Sequence, residues 1–194
     1  GAAPDLAALE CLVDLGLHAD AAVARIGTSE LFGEVIEAVC DSFVANDFYD
    51  QLFLGILEFS RRHESLARLD HTLSEFGYSG AASLAKRRLG LAGRKLGAGS
   101  NIPKAIVLSR VTIGADVAIS SVVVAHLLDS FPEAEIVLVG SEKLRELFSG
   151  EKRLRVVPLK YGRGAGLGDR LESWLELVAI LREEWTDSCF VFDP

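Results

Sequence analysis

The chain has 194 residues, 49% of them hydrophobic, and carries a net charge of −8. That is ample apolar material for one domain or two small ones, and the excess of acid argues against general nucleic-acid affinity. No apolar run approaches the ~20 residues of a membrane span, because even Val117 to Leu128 is broken by Ser120, Ser121 and His126.

Residues 1–100 read as helices throughout. Pro4 and Asp5 suit a first helical turn before Leu6, Leu9, Leu12 and Val13, which recur at helical spacing. Thr28, Ser29 and Glu30 offer N-caps before Leu31, Val35, Ile36, Val39 and Phe43, which form one stripe. Asn46-Asp47 interrupts that stripe and can cap the next helix, where Phe48, Leu52, Phe53, Ile56 and Leu57 again face one way. Residues 65–76 and 79–91 continue the pattern, with Gly77 as a C-terminal stop. The aromatic residues Phe32, Phe43, Phe48, Tyr49, Phe53 and Phe59 fall on the leucine stripes and are expected in the core. This predicts a bundle of four to six helices without a fixed repeat.

Charge in this region is polarised. Residues 1–60 hold one basic residue against eleven acidic ones, and residues 61–100 hold eight basic against three acidic. Complementary or solvated surfaces explain this, as does contact of residues 86–95 with an anionic ligand or lipid surface. Cys11, Cys40 and Cys189 form no C-x-x-C pair and read as buried free thiols. His18, His63, His71 and His126 lack metal-ligand spacing, so no metal is expected, and His63 and His71 are assigned to a solvated helix face. The N-terminus lacks the basic start and apolar run of a secretory signal, so the expected location is cytoplasmic.

The glycine-rich, basic stretch 90–100 is read as a linker, which makes residues 1–100 a helical domain and 101–194 an α/β domain. From Lys104 the period changes. Strands are expected at 105–109, 135–139, 154–157 and 189–192, alternating with helices at 117–131, 141–148 and 169–184. This is the pattern of a Rossmann-like parallel sheet built from βαβ units and covered on both faces. Right-handed crossovers give the strand order 3-2-1-4, with the switch point between the first and fourth strands. Asp116 and Asp193 then lie near one crevice.

In the loop after the first strand, Gly114 allows a tight turn or close backbone approach, and Asp116 sits near the N-cap of the next helix. Two uses for Asp116 stand: a helix cap, and a general base taking a proton from a hydroxyl. The third loop, Tyr161 to Asp169, alternates glycines without a dinucleotide fingerprint. It reads as a solvent-facing loop or as a mobile lip in which Arg163 or Arg170 reaches an acidic or phosphorylated sugar. Asp169 and Glu172 suggest a capping box, and Trp174 and Leu175 are assigned to the core.

The stretch from Ile106 to Gly140, with Gly114, Asp116, the helix 117–130 and Phe131-Pro132-Glu133-Ala134-Glu135-Ile136, resembles the start of the bacterial heptosyltransferase-type glycosyltransferases (glycosyltransferase family 9). The similarity continues more weakly to Phe190-Val191-Phe192-Asp193-Pro194 and covers about residues 104–194. It implies the N-terminal, acceptor-binding part of a GT-B enzyme that uses a nucleotide sugar, ADP- or UDP-linked, and inverts the sugar without a required metal. By that correspondence Asp116 is the catalytic base. Beside it, Arg110, Thr112, Gly114, Arg163 and Arg170 are candidate substrate contacts. The family has Gly directly before Asp, whereas Ala115 intervenes here.

The same resemblance implies a sugar or lipid-linked glycan acceptor and peripheral contact with the inner membrane surface. The donor domain would be a second α/β domain, so the 194 residues alone are expected to be inactive. Two other readings stand beside it: a non-catalytic Rossmann-like module for a small phosphorylated or nucleotide ligand, and a helical domain that docks a partner protein.

Overall fold

The computed structural model describes residues 3–40, 46–91, 101–109, 114, 116–161 and 166–193. Contacts divide the chain into two compact units, Gly1–Lys95 with Gly162–Leu175, and Leu96–Tyr161 with Glu176–Pro194.

The first unit is helical. Asp5 is the N-cap of α1 (Leu6–Gly16) rather than part of its first turn, its carboxylate accepting from the amides of Ala7 and Ala8 at 3.0 and 3.2 Å. Asp20 does the same for α2 (Ala21–Ser29), and the amides of Val23 and then Ala22 hold its carboxyl below the usual range. The helix start expected at Thr28 and Ser29 does not form. Ser29 has helical backbone angles and makes no cap bond, Thr28 is buried, and the chain runs on through a π-helical segment (Glu30–Ile36) into α3 (Glu37–Cys40). Both residues lie inside a helix that Asp20 has already capped, so their capping tendency has no free end to act on. Gly27 is where α1 and α2 meet most closely, since a Cβ there would lie 2.6 Å from the Leu15 Cβ.

The next helix, α4 (Asn46–Ser60), places Leu52 and Ile56 in a core with Leu9, Val13, Leu31 and Ile36, and Phe32, Phe48, Tyr49, Phe53 and Phe59 pack against it. A 3-10 turn (Glu64–Leu66), capped by His63, leads into α5 (Ala67–Glu75). Gly77 then stops the chain at φ +68°, a left-handed angle at which glycine pays no Cβ penalty. The helix α6 (Ala81–Leu91) includes Gly90, so it runs into the stretch expected to be a linker; residues 92–100 lie outside the described residues.

The second unit is α/β. Its sheet is all parallel, in the order β3-β2-β1-β4, from β1 (Lys104–Leu108), β2 (Glu135–Gly140), β3 (Leu154–Pro158) and β4 (Cys189–Phe192). That is the order expected from right-handed crossovers. The π-helical segment Asp116–Ser120 and α7 (Ser121–Ser130) connect β1 to β2, and the short α8 (Leu144–Leu147) connects β2 to β3. Helix α9 (Leu167–Glu184) precedes β4; Leu167, Leu171 and Leu175 belong to the helical unit's core, and Leu177, Ile180 and Leu181 pack in the α/β unit.

Alternation along the strands gives the sheet two apolar faces. Ala105, Val107, Ile136, Leu138 and Val156 pack with Val124 and Leu127 of α7, while Ile106, Val137, Val139 and Cys189 pack with the second half of α9. Arg153 closes α7 at its carboxyl end by donating to the carbonyls of Leu128, Phe131 and Pro132 at 3.1, 3.2 and 2.7 Å.

Three expectations are corrected. Cys189 is buried, but Cys11 is exposed, because it lies on the solvent side of the α1 stripe; the side chain of Cys40 lies outside the described residues. Trp174 is 36% exposed, since Leu171 and Leu175 take the inward positions of α9. Asp169 sits within the first turn of α9 instead of capping it, and Glu172 pairs with Arg68 at 2.9 Å.

Candidate functional site

The two ends of the parallel sheet hold different chemistry. At the amino end, Arg155 of β3 donates to both oxygens of Glu184 at 2.8 and 2.7 Å and to Glu135 of β2, and Lys104 of β1 reaches Glu184 at 2.6 Å. The hydrogen bond from Arg155, against the opposing effect of burial and with help from Lys104, holds the Glu184 carboxyl down at about 2. Every charge in this cluster has an opposite partner.

The carboxyl end is built around Asp116. The residue is only 2% exposed. Oδ1 accepts from the Ser120 hydroxyl at 2.8 Å and Oδ2 from the Ser109 hydroxyl at 2.9 Å. Ser109 directly follows β1 and is itself fixed by its amide, which donates to the Val139 carbonyl at 2.8 Å. The π-helical segment starting at Asp116 brings Ser120 back to the same carboxylate. Gly140, the last residue of β2, makes room for this arrangement, since a Cβ there would lie 2.3 Å from the Ser109 Cβ and 2.4 Å from its hydroxyl.

Two more groups occupy this end. Tyr161 follows β3 past Leu159 and packs on the sheet face of Ile106 and Val139. Burial first, and then the charges of Asp116 and Asp193, push its phenol above the usual tyrosine range. Asp193, one residue past β4, is exposed. The β1–β4 register pairs Val107 with Phe192, so Asp193 stands level with Leu108 at the strand ends.

Of the residues singled out from sequence, Asp116 and Asp193 are thus at one end of the sheet. Arg110, Thr112 and Arg163 lie outside the described residues, as does Ala115. Gly114 is exposed, its φ is not positive, and a Cβ there would meet nothing within 4 Å among the described residues. Arg170 belongs to the helical unit, where its guanidinium lies 4.2 Å from the centre of the Phe32 ring, a cation–π contact. Ser109, Ser120, Gly140 and Tyr161 were not singled out; the signal for Ser109 and Gly140 was their place at the ends of two apolar runs.

Among the described residues no group of three or more His, Cys, Asp or Glu is arranged to hold a metal ion, and no helix is long and apolar enough to cross a membrane. Compared with protein-family models, curated proteins and solved structures, the chain gives no match.

Proposed function

We propose that the α/β unit is the acceptor-binding part of an inverting glycosyltransferase of the heptosyltransferase type, working in cell-surface glycan synthesis. The observation that carries this reading is the Asp116 carboxylate, held through both oxygens by Ser109 and Ser120 at the carboxyl end of β1. That position borders the β1–β4 switch point, where open α/β sheets bind their ligands. The resemblance over residues 104–194 supports the same assignment.

In this reading Asp116 removes the proton from an acceptor hydroxyl. The freed oxygen attacks the anomeric carbon as its bond to the nucleoside diphosphate breaks, and the configuration inverts. The donor is an ADP- or UDP-linked sugar, and the acceptor is a sugar or a lipid-linked glycan. Val117, Ile119 and Val122, within six residues after Asp116, are 52%, 41% and 63% exposed, which suits an acceptor presented from a membrane surface.

A second reading has its own observation. A carboxylate 2% exposed with both oxygens bonded also suits a structural anchor in a non-catalytic ligand-binding module. The two separate on Asp116→Asn in the protein as its gene encodes it, assayed with labelled ADP- and UDP-sugars and a membrane extract as acceptor. The transferase reading expects turnover to fall about a hundred- to ten-thousand-fold with the helix signal in circular dichroism retained. Transfer at the parent rate removes Asp116 as the base.

A further inference from the structure

The helical unit holds a cleft of about 590 Å³ where the end of α1, the first turns of α2 and the start of α9 come together. Small residues shape it. A Cβ on Gly166 would lie 3.1 Å from the Ala24 Cβ and 3.3 Å from the Gly16 carbonyl oxygen, so these segments approach without side chains between them. Gly166, Asp169 and Glu172 recur every third residue and follow one face into α9, where the Arg170 amide donates to the Gly166 carbonyl. Ala21, Ala24 and Arg25 form the wall on α2, and Leu17 and Leu66 add apolar surface. Two exposed side chains of this lining, Arg25 and Asp169, carry opposite charges that do not pair with each other. Arg25 donates from Nε to the Ala21 carbonyl at 3.2 Å, which leaves its two terminal nitrogens without a partner among the described residues. Its charge also acts on Asp20, though less than the capping amides of Val23 and Ala22 do. Among the described residues no hydrogen bond or ion pair engages the Asp169 carboxylate, whereas Glu172 is taken by Arg68 at 2.9 Å.

We propose that this cleft binds a free amino acid as its zwitterion, with the carboxylate on Arg25 and the ammonium on Asp169. A guanidinium gives a carboxylate two parallel N–H donors, and an ammonium, which has donors only, is matched by a carboxylate. One exposed charge alone holds a ligand weakly. Two opposite charges in one cleft select a molecule that carries both. A phosphate would meet Asp169 and Glu172 as well as Arg25, and a simple amine would leave Arg25 unused. The volume lies within the ~300–1,000 Å³ of small-molecule sites and leaves room for an apolar side chain against Leu17 and Leu66. The site belongs to the helical unit and stands or falls independently of the transferase reading.

The test measures binding by saturation-transfer and chemical-shift NMR on the 194-residue protein, with the common L-amino acids as probes. For the tightest binder, the decarboxylated amine, the N-acetyl derivative and inorganic phosphate follow. The variants are Arg25→Gln and Asp169→Asn; both residues are exposed, so both variants should fold, which their amide spectra check. The expected result is millimolar binding of at least one amino acid, weakened about tenfold or more by either substitution. On the parent protein, removing either charge from the ligand should weaken binding by a similar factor, and these ligand comparisons keep the proposal falsifiable even where a variant does not fold. The crossed pairs identify the contacts: Arg25→Gln should leave the residual binding of the amine unchanged, and Asp169→Asn should not weaken that of the N-acetyl derivative. No binding of any amino acid at millimolar concentration, equal binding of the amine or the N-acetyl derivative, tighter binding of phosphate, or unchanged binding in either variant overturns the proposal.

Discussion

The amino and carboxyl ends of one four-stranded sheet differ in how their charges are satisfied. At the amino end two cations and two carboxylates from β1, β2, β3 and α9 cancel one another through direct hydrogen bonds. At the carboxyl end the Asp116 carboxylate accepts from two hydroxyls, and Asp193 is exposed one residue past β4. Mutually satisfied charges tie strands together and leave little capacity for a ligand. The hydroxyls of Ser109 and Ser120 orient the Asp116 carboxylate at the end where parallel sheets bind ligands.

The largest effect is expected from breaking the paired end. Glu184 is bonded by both Arg155 and Lys104 and its side chain is 15% exposed, so Glu184→Gln should cost about 3 kcal/mol in urea unfolding. Its folded carboxyl is depressed from 4.5 to about 2, so its contribution is complete above 4.5 and is lost as the pH falls from there toward about 2. In Glu184→Gln the acid slope in that window should flatten; an unchanged slope would mean that Glu184 is not the group responsible.

At the other end, Gly140→Ala forces a Cβ to within 2.3 Å of Ser109 and should destabilise by about 1–3 kcal/mol, read from the denaturation midpoint. Removing the hydroxyl alone is milder. Ser109→Ala takes one donor from a buried carboxylate and should cost about 1–2 kcal/mol. A neutral result for Ser109→Ala would mean that Asp116 is not anchored as described. The smallest effect is in the helical unit, where burial and the hydrogen bond to Glu58 raise the Tyr78 phenol from 10.0 to about 12. Stability from this group is complete below 10 and is lost as the pH rises through about 12. Tyr78→Phe should remove that alkaline slope at a cost of about 1 kcal/mol near neutral pH.

The sheet was legible because its strands are continuous apolar runs separated by helical periods, and β4 at Cys189–Phe192 coincides with the span expected from that pattern. Strand order followed from crossover handedness, which also brought Asp116 and Asp193 to one end. Local cues failed where tertiary context outweighed them. Thr28 and Ser29 look like caps but lie inside a helix already begun at Ala21, and Trp174 looks like core but faces outward on α9. The Asp116 anchor was not legible, because it joins residues seven and four positions away through a π-helical turn that no period announces. Nor does sequence alone show that Gly140 is small for the sake of Ser109, since the two meet only across the β1–β2 pairing.

The most direct test of the difference between the sheet ends is an NMR titration of the isotope-labelled protein with methyl pyranosides and the corresponding sugar 6-phosphates. The account predicts that signals of Ser109, Tyr161 and Asp193 move with a common saturation curve while those of Lys104, Glu135 and Arg155 stay fixed. Shifts centred on Lys104, Glu135 and Arg155 would contradict it.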